Sequence, residues 1–531
     1  MGAAKRAIIL AAGVGKRMAP LSYELPKALL TVRGEVLVER LIRQLREAGI
    51  EDITVVTGYM KEAFFYLEDL LGVRIAVNPN YVWHGNAASL LTVSGLLPGA
   101  FVCASDQYFE DNPFICDLEG SSCCCLSDSP ERQGWRVSIS RGGFISSLRR
   151  GVGDSPRVRT PLFLSEEDGA AYAGALVRES AQTGFADLNW DDMLSRHLGE
   201  IRIKARSLRV GSVHEFKSFE DLISFDQAFV DNVDSSILDN ICSVLGCDRH
   251  AISGIEPISQ GLTNLSFKFS VDGKPYVYRH PGKGTDEIIN RAAEAHALGI
   301  AKHLGLDETF IYEDPVSGWK VSRFIEGCIP FDYRNSDHVA RGLSLVRTLH
   351  DSGETSPWSF DFWDEAVKIE RILRKMSYPL PRDFGTVFER AERVAAHMAA
   401  EQAPTCLCHN DFYGPNFLVH GDDMWLIDWE YAAMGDPACD LGNFVAQGSG
   451  YTVEETISIL PLYYGREPSK EEVRHCLGAV GVVGYYWYVW AIFKEAQGNP
   501  VGEWLYIWYK AARDYCAAAL KLYEPAGGTD A

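Results

Sequence analysis

Cys408-His409-Asn410-Asp411-Phe412-Tyr413-Gly414-Pro415-Asn416-Phe417 is followed by Trp425-Leu426-Ile427-Asp428-Trp429-Glu430-Tyr431. A His-x-Asp, an Asn five residues after that Asp, and an apolar strand ending in a second Asp are the parts that phosphoryl transfer needs. Asp411 is expected to orient an attacking hydroxyl and accept its proton. Asn416 and Asp428 are expected to hold Mg²⁺ on the phosphates of ATP. His409 reads as a packed, hydrogen-bonded residue rather than a proton carrier. Cys406 and Cys408 stand beside it, but no second Cys/His pair follows at zinc spacing, so they read as ordinary buried thiols and no zinc is expected.

Working back along the chain, Gln260-Gly261-Leu262-Thr263-Asn264 and Tyr276-Val277-Tyr278-Arg279-His280-Pro281-Gly282-Lys283-Gly284-Thr285 precede Ile289-Asn290-Arg291 and Glu294. Together with the Asp411 segment this series resembles the choline kinase and aminoglycoside phosphotransferase superfamily, in its choline/ethanolamine kinase branch, over roughly Ile255 to Phe493. The resemblance implies a bilobal, protein-kinase-like α+β domain. It places Thr263 and Asn264 in the nucleotide loop, and Arg279 where protein kinases carry a strand lysine, with Glu294 as its ion-pair partner. An arginine there grips phosphate with two prongs.

The acceptor follows from chemistry. A quaternary ammonium offers no hydrogen bond, so a protein selects it with aromatic faces and a carboxylate, each ring contributing about 0.5–2 kcal/mol. Tyr485-Tyr486-Trp487-Tyr488-Val489-Trp490 puts Trp487 and Trp490 three residues apart on one helix face. That spacing is similar to the choline-binding tryptophans of choline kinases; the competing reading is an aromatic stripe turned to the core. Glu430 and Tyr431 are further acceptor candidates. Asp436 and Asp440 are expected to brace the catalytic segment.

The first half carries a different pattern. Short apolar runs at Ala7–Ala11, Ile53–Thr57, Arg74–Val77 and Phe101–Ala104 alternate with helix-period stretches at Val36–Ala48, Lys61–Leu71 and Ala87–Leu97. This predicts a doubly wound, Rossmann-like α/β domain. Leu10-Ala11-Ala12-Gly13-Val14-Gly15-Lys16-Arg17-Met18 follows the first strand, at the carboxyl end where open α/β sheets bind ligands. Glycines there let backbone approach a triphosphate, and Lys16 and Arg17 supply charge. With Pro20-Leu21-Ser22 and Pro26-Lys27-Ala28-Leu29 the stretch resembles the nucleotidyltransferase signature. The resemblance assigns Ala12, Gly13, Gly15 and Lys16 to the nucleotide, and Arg17 and Lys27 to stabilising charge as a phosphate attacks the α-phosphorus of an NTP.

Asp106 ends the strand Phe101–Ala104 and is the expected metal ligand. Asn78-Pro79-Asn80-Tyr81 leading to Asn86 resembles the base- and substrate-contacting segment of CTP:phosphocholine cytidylyltransferases, and Asn86 carries over to the nucleotide. Val213-His214-Glu215-Phe216-Lys217-Ser218-Phe219-Glu220-Asp221-Leu222 resembles that family's closing strand and helix, yet Lys217 stands where the second metal-binding Asp is expected. Glu215 or Asp191-Asp192 takes over that role, the lysine replaces part of the metal's charge, or the domain transfers nucleotides poorly.

The 531 residues suit two large domains, placed at 1–232 and 233–531 across the acidic stretch from Phe216 to Leu245. A formal charge of −21 disfavours nucleic acid and anionic membranes as partners. Thirteen scattered Cys, including the run Cys123-Cys124-Cys125, point to a reducing, cytoplasmic compartment. The N-terminus does not read as a signal peptide, and the most apolar stretch, Val480 to Phe493, is too short to span a bilayer.

The joint expectation is a bifunctional enzyme, using ATP to phosphorylate choline and CTP to convert phosphocholine to CDP-choline. Its rivals are ethanolamine or sugar substrates on the same folds, a first half that binds nucleotide without turnover, and antibiotic phosphorylation.

Overall fold

The computed structural model describes residues 6–82, 85–127, 133–258, 264–282 and 290–524. It divides into two compact units, Met1–Ser259 with Phe267–Gly273, and Gln260–Ser266 with Lys274–Ala531. The expected boundary near residue 232 lies before the helix Ser236–Leu245, which falls in the first unit. There Glu24 accepts hydrogen bonds from Ser235 Oγ, Ser236 Oγ and the Ile237 N–H.

In the first unit, strand Arg6–Ala11 lies parallel between Asp52–Thr57 and Ala100–Ala104, and Arg74–Val77 extends the parallel set beyond Asp52–Thr57. The first two of these strands are buried along almost their whole length, as strands covered on both faces must be, which is why they read as unbroken apolar runs. The sheet is nevertheless mixed. Arg157–Phe163 pairs antiparallel with Ala100–Ala104, and Ser122–Leu126, Gly134–Ile139 and Ile145–Gly151 continue it. This antiparallel extension is absent from the purely doubly wound expectation. Its Cys123, Cys124 and Cys125 are buried strand residues.

In the second unit, Lys274–Pro281 pairs antiparallel with Lys320–Arg323, and Lys320–Arg323 with Phe310–Glu313. Long helices follow, broken by strand Cys406–Cys408, which pairs with Ala433–Gly435, and by the hairpin Phe417–His420 with Asp423–Leu426. The helix Lys470–Ala496 corrects one expectation, because Cys476 to Gly484 lengthen its apolar stretch. By length and composition alone it is apolar enough to cross a membrane, but 94% of that window is buried inside the protein. It packs against the helices Phe362–Lys375, Phe384–Glu401, Ala438–Ala446 and Trp504–Tyr523, the position of a core helix.

Candidate active sites

In the first unit the glycine loop leaves strand Arg6–Ala11, and Asp106 follows the neighbouring strand Ala100–Ala104, so both stand at the carboxyl edge of adjacent parallel strands. Gly15 is left-handed, with φ 66°, a conformation that glycine adopts without strain. A Cβ on Gly15 would lie 3.5 Å from Lys27 Cβ, so the lysine stem runs directly against the glycine turn. Lys27 Nζ is 2.9 Å from Asp106 Oδ2. Burial alone would raise the Asp106 carboxyl, but Lys27 and then Lys217 hold it below the ordinary range. Ala12 is buried, whereas Gly13, Lys16 and Arg17 are exposed.

A cavity of about 410 Å³ brings together Arg17, Asn86, Asp106 and Glu215. Asn86 is spent on structure as well, since its Oδ1 accepts from the Trp190 N–H at 2.6 Å. Glu215 lies 3.1 Å from Arg159 and 3.1 Å from Lys217, so two cations already neutralise it. Asp191 and Asp192, weighed from the sequence as stand-ins for the missing metal ligand, line the same cavity with Trp190 at the start of a helix, and Trp135, Arg150 and Arg159, which the sequence reading did not anticipate, join them from the antiparallel strands. Asp191 is pushed up to about 6 by burial, with the charge of Asp192 adding to it. No local signature marks Trp135, Arg150 and Arg159, because the antiparallel extension alone brings them here.

In the second unit Asp411 is buried, and Gln447 Nε2 donates to its Oδ1 at 2.8 Å while Asn416 Nδ2 donates to its Oδ2 at 2.9 Å. Burial and then the charge of Asp428 push its carboxyl up to about 7. Asn416 commits its amide nitrogen to Asp411, leaving its oxygen for a cation. Asp428 is left-handed, with φ 70°, and its carboxylate reaches within 3.8 Å of Arg279. Such a backbone state costs on the order of 1–3 kcal/mol and is typical of functional sites.

Arg279 and Glu294 form a buried two-pronged pair at 2.5 and 2.8 Å. Arg291 and Lys320 also reach Glu294, each at 3.2 Å, and Glu313 lies 3.3 Å from Arg279. Although burial opposes its charge, Lys320 and Arg279 hold Glu294 far below the carboxylate range. Asn264 opens the strand Asn264–Val271; Thr263 lies outside the described residues.

His409 is fully buried, accepting at Nδ1 from the Asp411 N–H and donating from Nε2 to Ile427 O, so it is a neutral structural residue. Asp440 accepts from the His409 and Asn410 N–H groups at 2.8 and 2.6 Å, which fixes the turn that presents Asp411.

Trp487 Nε1 donates to Asn443 Oδ1 at 2.8 Å, and Gln447 Nε2 donates to that same oxygen at 3.1 Å. The Trp487 ring meets Tyr431 edge-on at 5.9 Å, Trp490 edge-on at 5.6 Å, and Trp508 nearly stacked at 5.6 Å. Trp504 stacks in turn on Trp508 at 5.3 Å. Glu430 Oε2 is buried with no hydrogen-bond partner among the described residues, and burial, with the charge of Asp428, pushes this carboxyl up to about 8. Trp487 and Trp490 are both buried among the core residues of the helical lobe, and Trp504, Trp508, Asn443 and Gln447, which the sequence reading did not single out, lie beside them. Asn443 and Gln447 follow Asp440 at helical spacing, a signal that was present.

Residues 254–464 match the phosphotransferase enzyme family, and residues 7–134 match the MobA-like NTP transferase domain. The chain is 30% identical over 228 residues to 2-aminoethylphosphonate cytidylyltransferase of Lancefieldella rimae, spanning 42% of this chain and 93% of that protein. It is 31% identical over 219 residues to choline-phosphate cytidylyltransferase of Streptococcus pneumoniae, spanning 41% and 94%. A probable ethanolamine kinase of Arabidopsis thaliana is 24% identical over 306 residues, spanning 49% and 77%. The chain belongs to the nucleotidyltransferases of the cytidylyltransferase type through its first half. Its second half is a kinase-like phosphotransferase domain, which makes the whole a fusion of two transferases.

Proposed function

We propose that the second unit transfers the γ-phosphoryl group of ATP to the hydroxyl of choline, and that the first unit transfers CMP from CTP to the resulting phosphocholine, releasing pyrophosphate. The observation that carries this reading is the hydrogen-bonded link from Asp411 through Gln447 and Asn443 to the indole of Trp487. It ties a carboxylate able to accept a hydroxyl proton to a cluster of rings suited to a methylated ammonium.

In the kinase half Asp411 takes the proton from the acceptor hydroxyl, and Arg279, whose two terminal nitrogens are taken by Glu294, contributes positive charge 3.8 Å from Asp428 rather than a two-pronged grip on phosphate. The oxygens of Asn416 and Asp428 are hard donors of the kind Mg²⁺ selects, and that ion, when bound, neutralises charge on the phosphates. Tyr431, Trp487 and Trp490 supply the aromatic walls, and the unpaired oxygen of Glu430 supplies a counter-charge when ionised.

In the cytidylyltransferase half a phosphate oxygen attacks the α-phosphorus of CTP, and Lys27 and Arg17 stabilise the charge that develops. Asp106 is the carboxylate for Mg²⁺. Glu215 is neutralised by Arg159 and Lys217, so Lys217 supplies fixed positive charge in place of part of the metal's. Trp135, Trp190 and Asp191 suit the cationic end of the acceptor, and Arg150 and Arg159 suit its phosphate.

A second reading keeps both chemistries on a primary amine, since one relative is named an ethanolamine kinase and another acts on 2-aminoethylphosphonate. A kinase joins phosphorus to oxygen and does not make a phosphonate, so fusion to a kinase favours a phosphate ester as the cytidylyl acceptor. Measuring kinase kcat/KM for choline and ethanolamine in competition tests the reading. Preference for choline supports it, and preference for ethanolamine transfers the assignment to the primary amine.

A further inference from the structure

His350, Cys406 and Cys408 bring an imidazole nitrogen and two sulfurs within 4.8 Å of one another. The two sulfurs are 3.9 Å apart because residues two apart on the strand Cys406–Cys408 face the same side. His350 ends the helix Ser336–His350, far away in sequence, so spacing alone did not reveal a third ligand.

On its Asp440 side His350 is held as a metal-binding histidine is. Such imidazoles are held in place by a carboxylate on the ring nitrogen that does not meet the metal. Here His350 Nε2 is 2.9 Å from Asp440 Oδ2, and Nδ1, the nitrogen left for a metal, accepts from the Tyr463 hydroxyl at 2.8 Å, which a bound ion would displace. Cys408 is buried and Cys406 half-buried, and neither takes part in the phosphoryl-transfer chemistry described above. Tyr463 also lines a cavity of about 450 Å³ in which Glu401, Asp436, Glu471 and Glu472 outnumber Arg474 and His475.

We propose that Cys406, Cys408 and His350 form a binding site for one thiophilic divalent cation of the Zn²⁺ and Cd²⁺ class. Two thiolates and one imidazole are the donors such ions select, and a water molecule would complete a tetrahedron. Both thiols give their protons to solvent on binding, and no group is oxidised or reduced. Asp440, which orients His350, also holds the backbone N–H groups of His409 and Asn410, so the ion shares a carboxylate with the loop that carries Asp411.

The test titrates the full-length, reduced and chelator-stripped protein with Cd²⁺ alone. The expected result is an ultraviolet thiolate-to-cadmium band that saturates at a single equivalent, with an X-ray absorption shell containing two sulfurs and at least one nitrogen. Cys406→Ser should remove the band, whereas a protein with both Cys242→Ser and Cys247→Ser should keep it. If Cys406→Ser fails to fold, the absorption shell of the unmodified protein decides. A band undiminished in Cys406→Ser, a shell without nitrogen, or no saturable band at micromolar cadmium overturns the proposal.

Discussion

Trp487 and Asp411 are joined by only two side-chain amides. The indole donates to Asn443, and Gln447 is shared between that amide oxygen and the Asp411 carboxylate. The ring that would face the acceptor's cation and the carboxylate that would take its proton are therefore held by one network. Trp487→Ala should raise KM for choline about 2- to 30-fold, the worth of one cation–π contact, while KM for ATP stays unchanged. Initial-rate kinetics at varied choline and ATP check this; an equal rise in both constants would count against an acceptor role.

Asp411→Asn should lower kcat for choline phosphorylation by about 10²–10⁴-fold, the usual worth of a general base. CDP-choline formation from supplied phosphocholine and CTP should be untouched. The Asp411 carboxyl is pushed up to about 7, and only its ionised form accepts a proton, so kcat/KM for choline should climb as pH rises through about 7. A profile flat between pH 6 and 8 would contradict that role.

In the first unit, Lys27→Ala should abolish CDP-choline formation and spare phosphocholine formation. Lys217→Ala should lower the Mg²⁺ concentration needed for half-maximal cytidylyl transfer, because it removes positive charge beside Glu215 and near Asp106. Magnesium titration of the two proteins reads the sign directly. An unchanged requirement would leave Lys217 without an electrostatic part in this site.

His475 lies between Glu401 and Asp436, at 2.5 and 2.6 Å. Burial alone would lower its pKa, but these two carboxylates carry it up to about 8. Its folded pKa is thus above its unfolded one, so the stabilisation is complete below about 6.5 and is lost as pH rises through about 8, amounting to about 2 kcal/mol. Denaturant melts from pH 6 to 9 should show that decline, and His475→Gln should flatten it.

The parallel strands and the glycine loop were legible because strands buried on both faces leave unbroken apolar runs, and because the left-handed turn at Gly15 favours glycine. The Asp411 segment was legible because the order and spacing of Asp411, Asn416 and Asp428 are those that phosphoryl transfer would require. What lay beyond reading depends on contacts distant in sequence. Trp135 and Arg159 reach the first cavity only through antiparallel pairing, and His350 reaches Cys406 only through helix packing. Lys217 was seen as a departure, but its pairing with Glu215 is a fact of three dimensions.

The most direct test supplies isotopically labelled choline, ATP, CTP and Mg²⁺ to the purified chain and follows phosphocholine and CDP-choline separately over time. Phosphocholine should appear first and CDP-choline after it, with Asp411→Asn blocking both and Lys27→Ala blocking only the second. Label remaining in choline with the unmodified protein, or CDP-choline still forming with Lys27→Ala, would contradict the account.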